Sequence, residues 1–276
     1  MTPPPPAVLV FAATDPSGGA GLQADVLTLA SMGCHPLSVV TGVTIQDTTG
    51  VEDVLPLDAE WVADQARCIL EDVPVAVFKL GVLGSLEAIA AIAEIVSDYP
   101  EVPLVLDPIL SSGRGDELAS EDMLSALREL IIPQSTIVTP NTLEILRIAY
   151  DEPPEEGNPD LAEAARLVLE TGCEYVLITG THSSSAQVIN TLYGREGVIR
   201  SDGWERLMGS YHGSGCTLSS AIAAGLAQGL DMAEAVAEAQ EYTWQTLKDG
   251  FRLGMGQPIP DRLFWAREEP PAGDVH

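Results

Sequence analysis

Short apolar runs rich in β-branched residues alternate along this chain with longer stretches whose apolar positions recur every three or four residues. Ala7–Ala13, Leu37–Val43, Val75–Leu80, Pro103–Leu106, Thr136–Val138 and Tyr175–Thr179 have the pattern of strands buried on both faces, and therefore parallel. Helical patterns lie between them. In Leu22–Gly33 the residues Leu22, Val26, Leu29 and Ala30 share one face, and Gly33 supplies the stop. Leu86–Tyr99 and Glu121–Ile131 behave alike, Asn158–Thr171 ends in Thr171-Gly172, and Thr217 to about Ala227 is a helix of small residues. Asp231-Met-Ala-Glu234 reads as a capping box opening a helix that runs to about Asp249. Val188–Tyr193, the turn Gly194–Gly197 and Val198–Arg200 predict an antiparallel hairpin at a sheet edge. Together these elements predict one three-layer α/β domain over residues 7–266, with helices on both faces of the sheet and loose tails at 1–6 and 267–276. Asp151–Asp160, rich in Pro and Glu, is expected to be a surface loop.

Composition narrows the function classes. Apolar residues make up 46% of the 276, enough for a sizeable core, which argues against intrinsic disorder. No uninterrupted apolar run approaches the roughly 18 residues of a membrane span. The opening Met-Thr-Pro-Pro-Pro-Pro lacks a signal peptide's basic region, so a cytoplasmic location is expected. The net charge is −28, from 41 acidic against 13 basic residues, and Lys79 and Lys248 are the two lysines. A nucleic-acid or anionic-membrane partner would need a basic face that such a chain does not offer. Cys34, Cys68, Cys173 and Cys216 are scattered without metal-ligand spacing, which argues against structural zinc and a disulfide framework.

Candidate chemistry concentrates in a few motifs. Gly213-Ser214-Gly215-Cys216 opens a helix, and such a start exposes N–H groups and a positive dipole end suited to a phosphate in flight. A cysteine there is expected to have a lowered pKa and to accept a proton near neutrality; a glycine turn with an inert buried cysteine is the alternative. Asp15-Pro-Ser-Gly-Gly-Ala-Gly21 follows the first strand, and Gly19–Ala24 fits the degenerate dinucleotide fingerprint, although Asp47 falls in a polar turn rather than at a strand end. Asp25, one turn into the next helix, either bonds an exocyclic amine of a small heterocycle or favours the helix dipole. Asn141 and Glu144 form either a capping box or a pair holding Mg²⁺-bound water near phosphates. Asp107-Pro108 ends an apolar strand, the usual ligand side of a parallel sheet, and leads into the polar loop Ser111–Asp116. A Walker A loop is excluded because neither lysine follows a glycine, and there is no GxSxG elbow.

In this order, the motifs Thr14-Asp-Pro-Ser-Gly-Gly-Ala-Gly-Leu-Gln-Ala-Asp25, Thr44–Val51, Lys79-Leu-Gly-Val-Leu-Gly-Ser85, Leu106-Asp-Pro108, Thr139-Pro-Asn-Thr-Leu-Glu144 and Gly213-Ser-Gly-Cys-Thr-Leu-Ser219 resemble the hydroxymethylpyrimidine kinase / phosphomethylpyrimidine kinase family of thiamine biosynthesis, from about Val8 to Trp265. The resemblance implies a ribokinase-like α/β/α sandwich with a mostly parallel central sheet. It implies ATP- and Mg²⁺-dependent phosphorylation of 4-amino-5-hydroxymethyl-2-methylpyrimidine, then of its monophosphate, by a homodimer. Carried over residue by residue, it places Asp25, Gln46, Gly19, Ala20, Gly21 and Val82 at the pyrimidine. Gly213, Ser214 and Gly215 form the anion hole, with Cys216 as base. Asn141, Glu144, Asp107, Thr179 and Arg114 lie on the ATP side, with Glu144 on Mg²⁺ through water. Two family lysines are absent, and Gly113-Arg114 and Thr179-Gly-Thr-His182 stand in those regions. Arg114 is expected to replace one of them with different geometry. Pyridoxal or pyridoxine kinase activity, and a non-catalytic pyrimidine-binding homologue, are the alternative readings.

Overall fold

The structure, a computed structural model, describes residues 3–111, 118–152, 160–180 and 186–267. Its elements run β1 (Ala7–Ala13), α1 (Gly21–Ser31), β2 (His35–Gln46), β3 (Val51–Pro56), α2 (Ala59–Leu70), β4 (Val77–Leu80), α3 (Leu86–Ser97), β5 (Leu104–Leu106) and α4 (Glu121–Ala126). They continue β6 (Ile137–Val138), α5 (Thr142–Ala149), α6 (Leu161–Glu170), β7 (Tyr175–Ile178), β8 (Gln187–Gly194), β9 (Gly197–Glu205), α7 (Ser214–Ala227) and α8 (Met232–Lys248). The strands form a nine-stranded sheet in the order β3-β2-β1-β4-β5-β6-β7-β8-β9. From β2 to β7 every neighbouring pair is parallel, and β3, β8 and β9 add antiparallel edges.

β1 is buried at every position, so its two faces feed two cores. Leu9 and Phe11 pack with Phe78, Leu80, Ile89 and Ile92 on one side of the sheet, and Val8 and Val10 pack with Val77, Val105, Ile222 and Val236 on the other. Local sequence places the helix starts. Ser85, Ser120, Asp160 and Asp231 each accept a first-turn N–H, and Asp231 with Glu234 completes a capping box. Asn158 falls outside the described residues.

The structure departs from the sequence reading in three places. Leu37–Val43 was expected to be buried on both faces, whereas β2 continues to Gln46 with alternating burial and turns back antiparallel through β3. Val43 and Ile45 are exposed while Thr44 between them is buried, so this end of the strand has one covered face. The helix over Glu121–Ile131 widens after Ala126 into a π turn, and Pro133, which lacks an N–H, sits in the short 3₁₀ turn that follows. The helix α2, capped by Asp58, was not anticipated. Among the described residues no helix is long and apolar enough to cross a membrane.

Because the central strands are parallel, the turns leaving β1, β4, β5, β6 and β7 all open at one edge of the sheet, where ligands of such folds bind.

Candidate active site

A cavity of about 550 Å³ lies at that edge. One end, on the β2–β3 side of the sheet, is largely apolar, walled by Ala13, Ala20, Gly21, Thr44, Gln46, Val51, Val54 and Val82. The other end, on the β6–β9 side, carries Asn141, Glu144, Thr179, Asn190, Arg206 and the indoles of Trp204 and Trp244. The floor between them is Asp107 and the start of α7, Gly213 to Cys216.

The floor is built from backbone. Gly213 has φ +79° and precedes α7 with no side-chain cap, so the first-turn N–H groups face the cavity unclaimed by a capping side chain. A Cβ at Gly213 would sit 2.0 Å from Gly19 O, so only glycine lets these two turns touch. Beneath the floor lies a buried charge cluster. Lys79, fully buried, places Nζ 2.9 Å from both carboxylate oxygens of Asp25, and Ser220 Oγ donates to Asp25 Oδ1 at 2.7 Å. Asp107 accepts from Ser219 Oγ at 3.3 Å and lies beside the Cys216 thiol. Burial alone would lower the Lys79 ammonium, but Asp25, Cys216 and Asp107 outweigh it and hold the pKa above its ordinary value.

Burial raises Asp107 to about 6, with Lys79 opposing and Asp25 adding to the rise. Glu144 reaches about 8 through burial and the nearby charge of Asp107. At the apolar end Asp15 is held low despite its burial, because His212 Nε2 (2.8 Å), Ala20 N and Ser17 bond its carboxylate. Gln46 Nε2 lies 3.1 Å from the same histidine nitrogen.

Gln46, Ala20, Gly21, Val82, Asp107, Thr179, Asn141, Glu144 and Gly213–Cys216 therefore converge on one cavity. Three expectations need correction or fall elsewhere. Asp25 is fully buried below the floor, and its carboxylate is taken up by Lys79 and Ser220 rather than turned to a ligand. Gly19 lies behind the wall, packed under the His212 ring. The Cys216 pKa, expected to be low from the helix start, is pushed up to about 12, because burial outweighs Lys79 and the Asp107 and Asp25 charges add to it. Asn141 and Glu144 form a complete capping box: Asn141 Oδ1 accepts from Leu143 N and Glu144 N, and Asn141 N donates to Glu144 Oε2 at 2.9 Å. Both still line the cavity, so the cap and a ligand-facing role coexist. Arg114 and the stretch Thr181-His182 lie outside the described residues.

Sequence reasoning assigned no role to Lys79, His212, Arg262 or the two indoles. Lys79 carried a usable signal, a lysine inside the apolar strand Val-Phe-Lys-Leu of a chain with two lysines. Arg262 carried none.

Fold and floor together define a ribokinase-like phosphotransferase. Residues 15–260 match the family model for phosphomethylpyrimidine kinase, and the chain belongs to that family. It is 38% identical over 261 residues to the hydroxymethylpyrimidine/phosphomethylpyrimidine kinase of Streptomyces coelicolor, covering 92% of this chain and 94% of the relative. Among solved structures it is similar to the phosphomethylpyrimidine kinase of Clostridium difficile (TM-score 0.74, 31% identity, 88% of this chain and 99% of that one). It is also similar to the pyridoxal kinase of Staphylococcus aureus in complex with AMP-PCP and pyridoxal (TM-score 0.85, 26% identity, 96% of each chain).

Proposed function

We propose that this enzyme transfers the γ-phosphoryl group of ATP to the hydroxymethyl group of 4-amino-5-hydroxymethyl-2-methylpyrimidine, and then to the resulting monophosphate, as cytoplasmic steps of thiamine biosynthesis. The observation that carries the reading is one cavity in which a largely apolar end meets an end lined by polar side chains and two indoles, with the uncapped start of α7 between them. The heterocycle fits between Val51, Val54 and Val82, with the Gln46 amide at its edge. The nucleotide occupies the β6–β9 end, where Trp204 and Trp244, with ring centroids 6.2 Å apart, offer aromatic faces to its base. Its terminal phosphate then meets the α7 N-terminus.

Phosphoryl transfer through a loose transition state asks mainly for positioning and charge neutralisation, and the alcohol gives up its proton late. Cys216 is the group beneath the alcohol, and the Asp107 carboxylate lies beside its thiol. As the sulfur takes the alcohol proton, the thiol proton passes to the Asp107 carboxylate, so the floor gains one proton overall. Lys79 below offsets the charge of Asp25 and of the ionised Asp107.

The same end also suits Mg²⁺. Asp107 and Glu144 are hard oxygen donors, and the Glu144 pKa is raised by burial and, after it, by the charge of Asp107, which a cation would relieve. Among the described residues no group of three or more His, Cys, Asp or Glu is gathered into a metal cage. Such a donor set fits an ion shared with phosphates and waters, held by Glu144 through water. Bound there, Mg²⁺ would neutralise charge on the ATP phosphates.

The homodimer reading rests on the β2–β3 hairpin. Its inner face carries Thr44, Gln46, Val51 and Val54 to the cavity, while Val43, Ile45 and Leu55 stand 44, 59 and 68% exposed on the outer face. A single-chain mass in sedimentation would remove this reading.

Phosphorylation of pyridoxine is the second reading, favoured by the high TM-score to a pyridoxal kinase. ATP consumption measured side by side with the pyrimidine alcohol, its monophosphate and pyridoxine tests both. Turnover of pyridoxine alone overturns the pyrimidine assignment.

Two predictions arise here. Gln46→Ala is expected to weaken pyrimidine binding by about 1–3 kcal/mol, the cost of removing one partner of a buried polar ligand. Asp25→Asn should instead lower stability, because its partner is Lys79. Calorimetric titration separates them, and unchanged affinity in Gln46→Ala takes that residue out of the pocket.

The second concerns Glu144. Folded Glu144 keeps its proton to about pH 8, against an ordinary value of 4.5. The native state therefore binds more protons than the unfolded one between those values. The stability this contributes is full below about 4.5 and is lost as pH rises through about 8. Denaturant midpoints of Glu144→Gln should accordingly decline less than those of wild type between pH 5 and 8; parallel declines would refute the assignment.

A further inference from the structure

Arg262 is 2% exposed and lies beyond the segment matched by the family model. Its guanidinium reaches two separate turns. Nη2 donates to Gly19 O at 2.6 Å and Gly213 O at 3.4 Å, Nη1 to Gly18 O at 3.4 Å, and Nε to Thr217 Oγ1 at 3.1 Å. Thr217 Oγ1 donates onward to Gly213 O at 2.8 Å. The backbone of Arg262 is tied to α8 through the Tyr242 hydroxyl, and the adjacent Asp261 pairs with Arg267. These partners of Arg262 are thus neutral oxygens, three of them carbonyls that would repel one another without a cation between them.

A trans peptide points its N–H opposite to its C=O. Drawing Gly213 O back onto Arg262 therefore aims Ser214 N–H forward, into the floor of the cavity. The same guanidinium holds the Gly18–Gly19 turn against Gly213, which positions Ala20 and Gly21 on the pyrimidine wall. The fork is needed for this, since an ammonium cannot present three donors in one plane to two turns.

We propose that Arg262 is a positioning residue for phosphoryl transfer: it locks the anion hole to the substrate turn and places a permanent positive charge behind both. The inference rests on the phosphoryl-transfer reading of that hole.

The test uses the full chain with Arg262→Met and Arg262→Lys, thermal melting as a control for folding, and two readouts. One is turnover with ATP and the pyrimidine alcohol; the other is calorimetric binding of inorganic pyrophosphate. Arg262→Met should lower kcat by about 10²-fold, the effect of losing one oriented oxyanion donor. KM for the pyrimidine should change far less, and pyrophosphate affinity should fall. Millimolar guanidinium should restore part of kcat to Arg262→Met, and Arg262→Lys should lie between the two. Wild-type kcat in folded Arg262→Met overturns the proposal. So does a loss that neither guanidinium nor lysine relieves and that leaves pyrophosphate binding intact. Where Arg262→Met does not fold, Arg262→Lys decides: a kcat loss at unchanged melting temperature supports the clamp, and full kcat overturns it. Wild-type protein that binds pyrophosphate through Arg262 but ignores the pyrimidine refutes the substrate assignment and leaves the clamp standing.

Discussion

Replacing Cys216 with alanine is expected to cut turnover by about 10² or more, the scale for removing a proton acceptor, while pyrimidine affinity stays nearly unchanged. The thiol is buried in the cavity floor at the start of α7, beside Asp107 and within the field of Lys79. With its pKa at about 12 the sulfur is protonated at neutral pH, so it works by handing its own proton to Asp107 while receiving that of the alcohol. Asp107, at about 6, is the group that must be ionised. Wild-type kcat should accordingly rise with pH through about 6, and Cys216→Ala should lose rate at every pH because the link to Asp107 is gone. Initial rates across pH 5 to 8 and a pyrimidine titration measure both. A fall of less than roughly threefold, well short of the general-base scale, removes Cys216 from the reaction and leaves an aspartate as acceptor.

Lys79→Met is expected to destabilise the fold by about 3–5 kcal/mol, since breaking a buried ion pair strands an uncompensated charge. Asp25 has no solvent to turn to, and its remaining described donor is Ser220. A loss of that size is a large part of a typical net stability of about 5–15 kcal/mol. The charge-matched double variant Lys79→Met/Asp25→Asn should recover much of it, because the cost lies in the orphaned carboxylate and not in the missing ammonium. Urea unfolding of the three proteins gives the answer, and a single-variant loss below about 1 kcal/mol, the scale of an exposed pair, would mean that the pair is solvated.

Much of the architecture was legible before any coordinates. Runs such as Ala7–Ala13 and Tyr175–Thr179 are apolar at consecutive positions, and only a strand covered on both faces tolerates that. Asp231 and Glu234 announce their helix because a cap is a short-range contact within one turn. The Gly-Ser-Gly-Cys floor was readable for the same reason, since it is a local backbone arrangement. What failed was whatever depended on the surroundings of a side chain. Asp25 has the right type and spacing for a ligand, but its direction is decided by Lys79, 54 residues away, and by Ser220. Cys216 sits where a helix start lowers a thiol's pKa, yet desolvation and two carboxylates outweigh that dipole. β2 ran past its predicted end because its later residues are covered on one side only.

The sequence by itself determined most of the strands and helices, though not β3 or α2, the ends that caps and glycines set, and the motifs that place the chain in its family. These are encoded by periodicity and by contacts within a few residues. The tertiary structure alone decided which carboxylates face the cavity and which are consumed below it, how high their pKa values stand, and that Arg262 reaches back across the fold to join Gly18, Gly19 and Gly213. Those outcomes depend on dielectric burial and on groups brought together from distant parts of the chain, and neither leaves a local pattern to read.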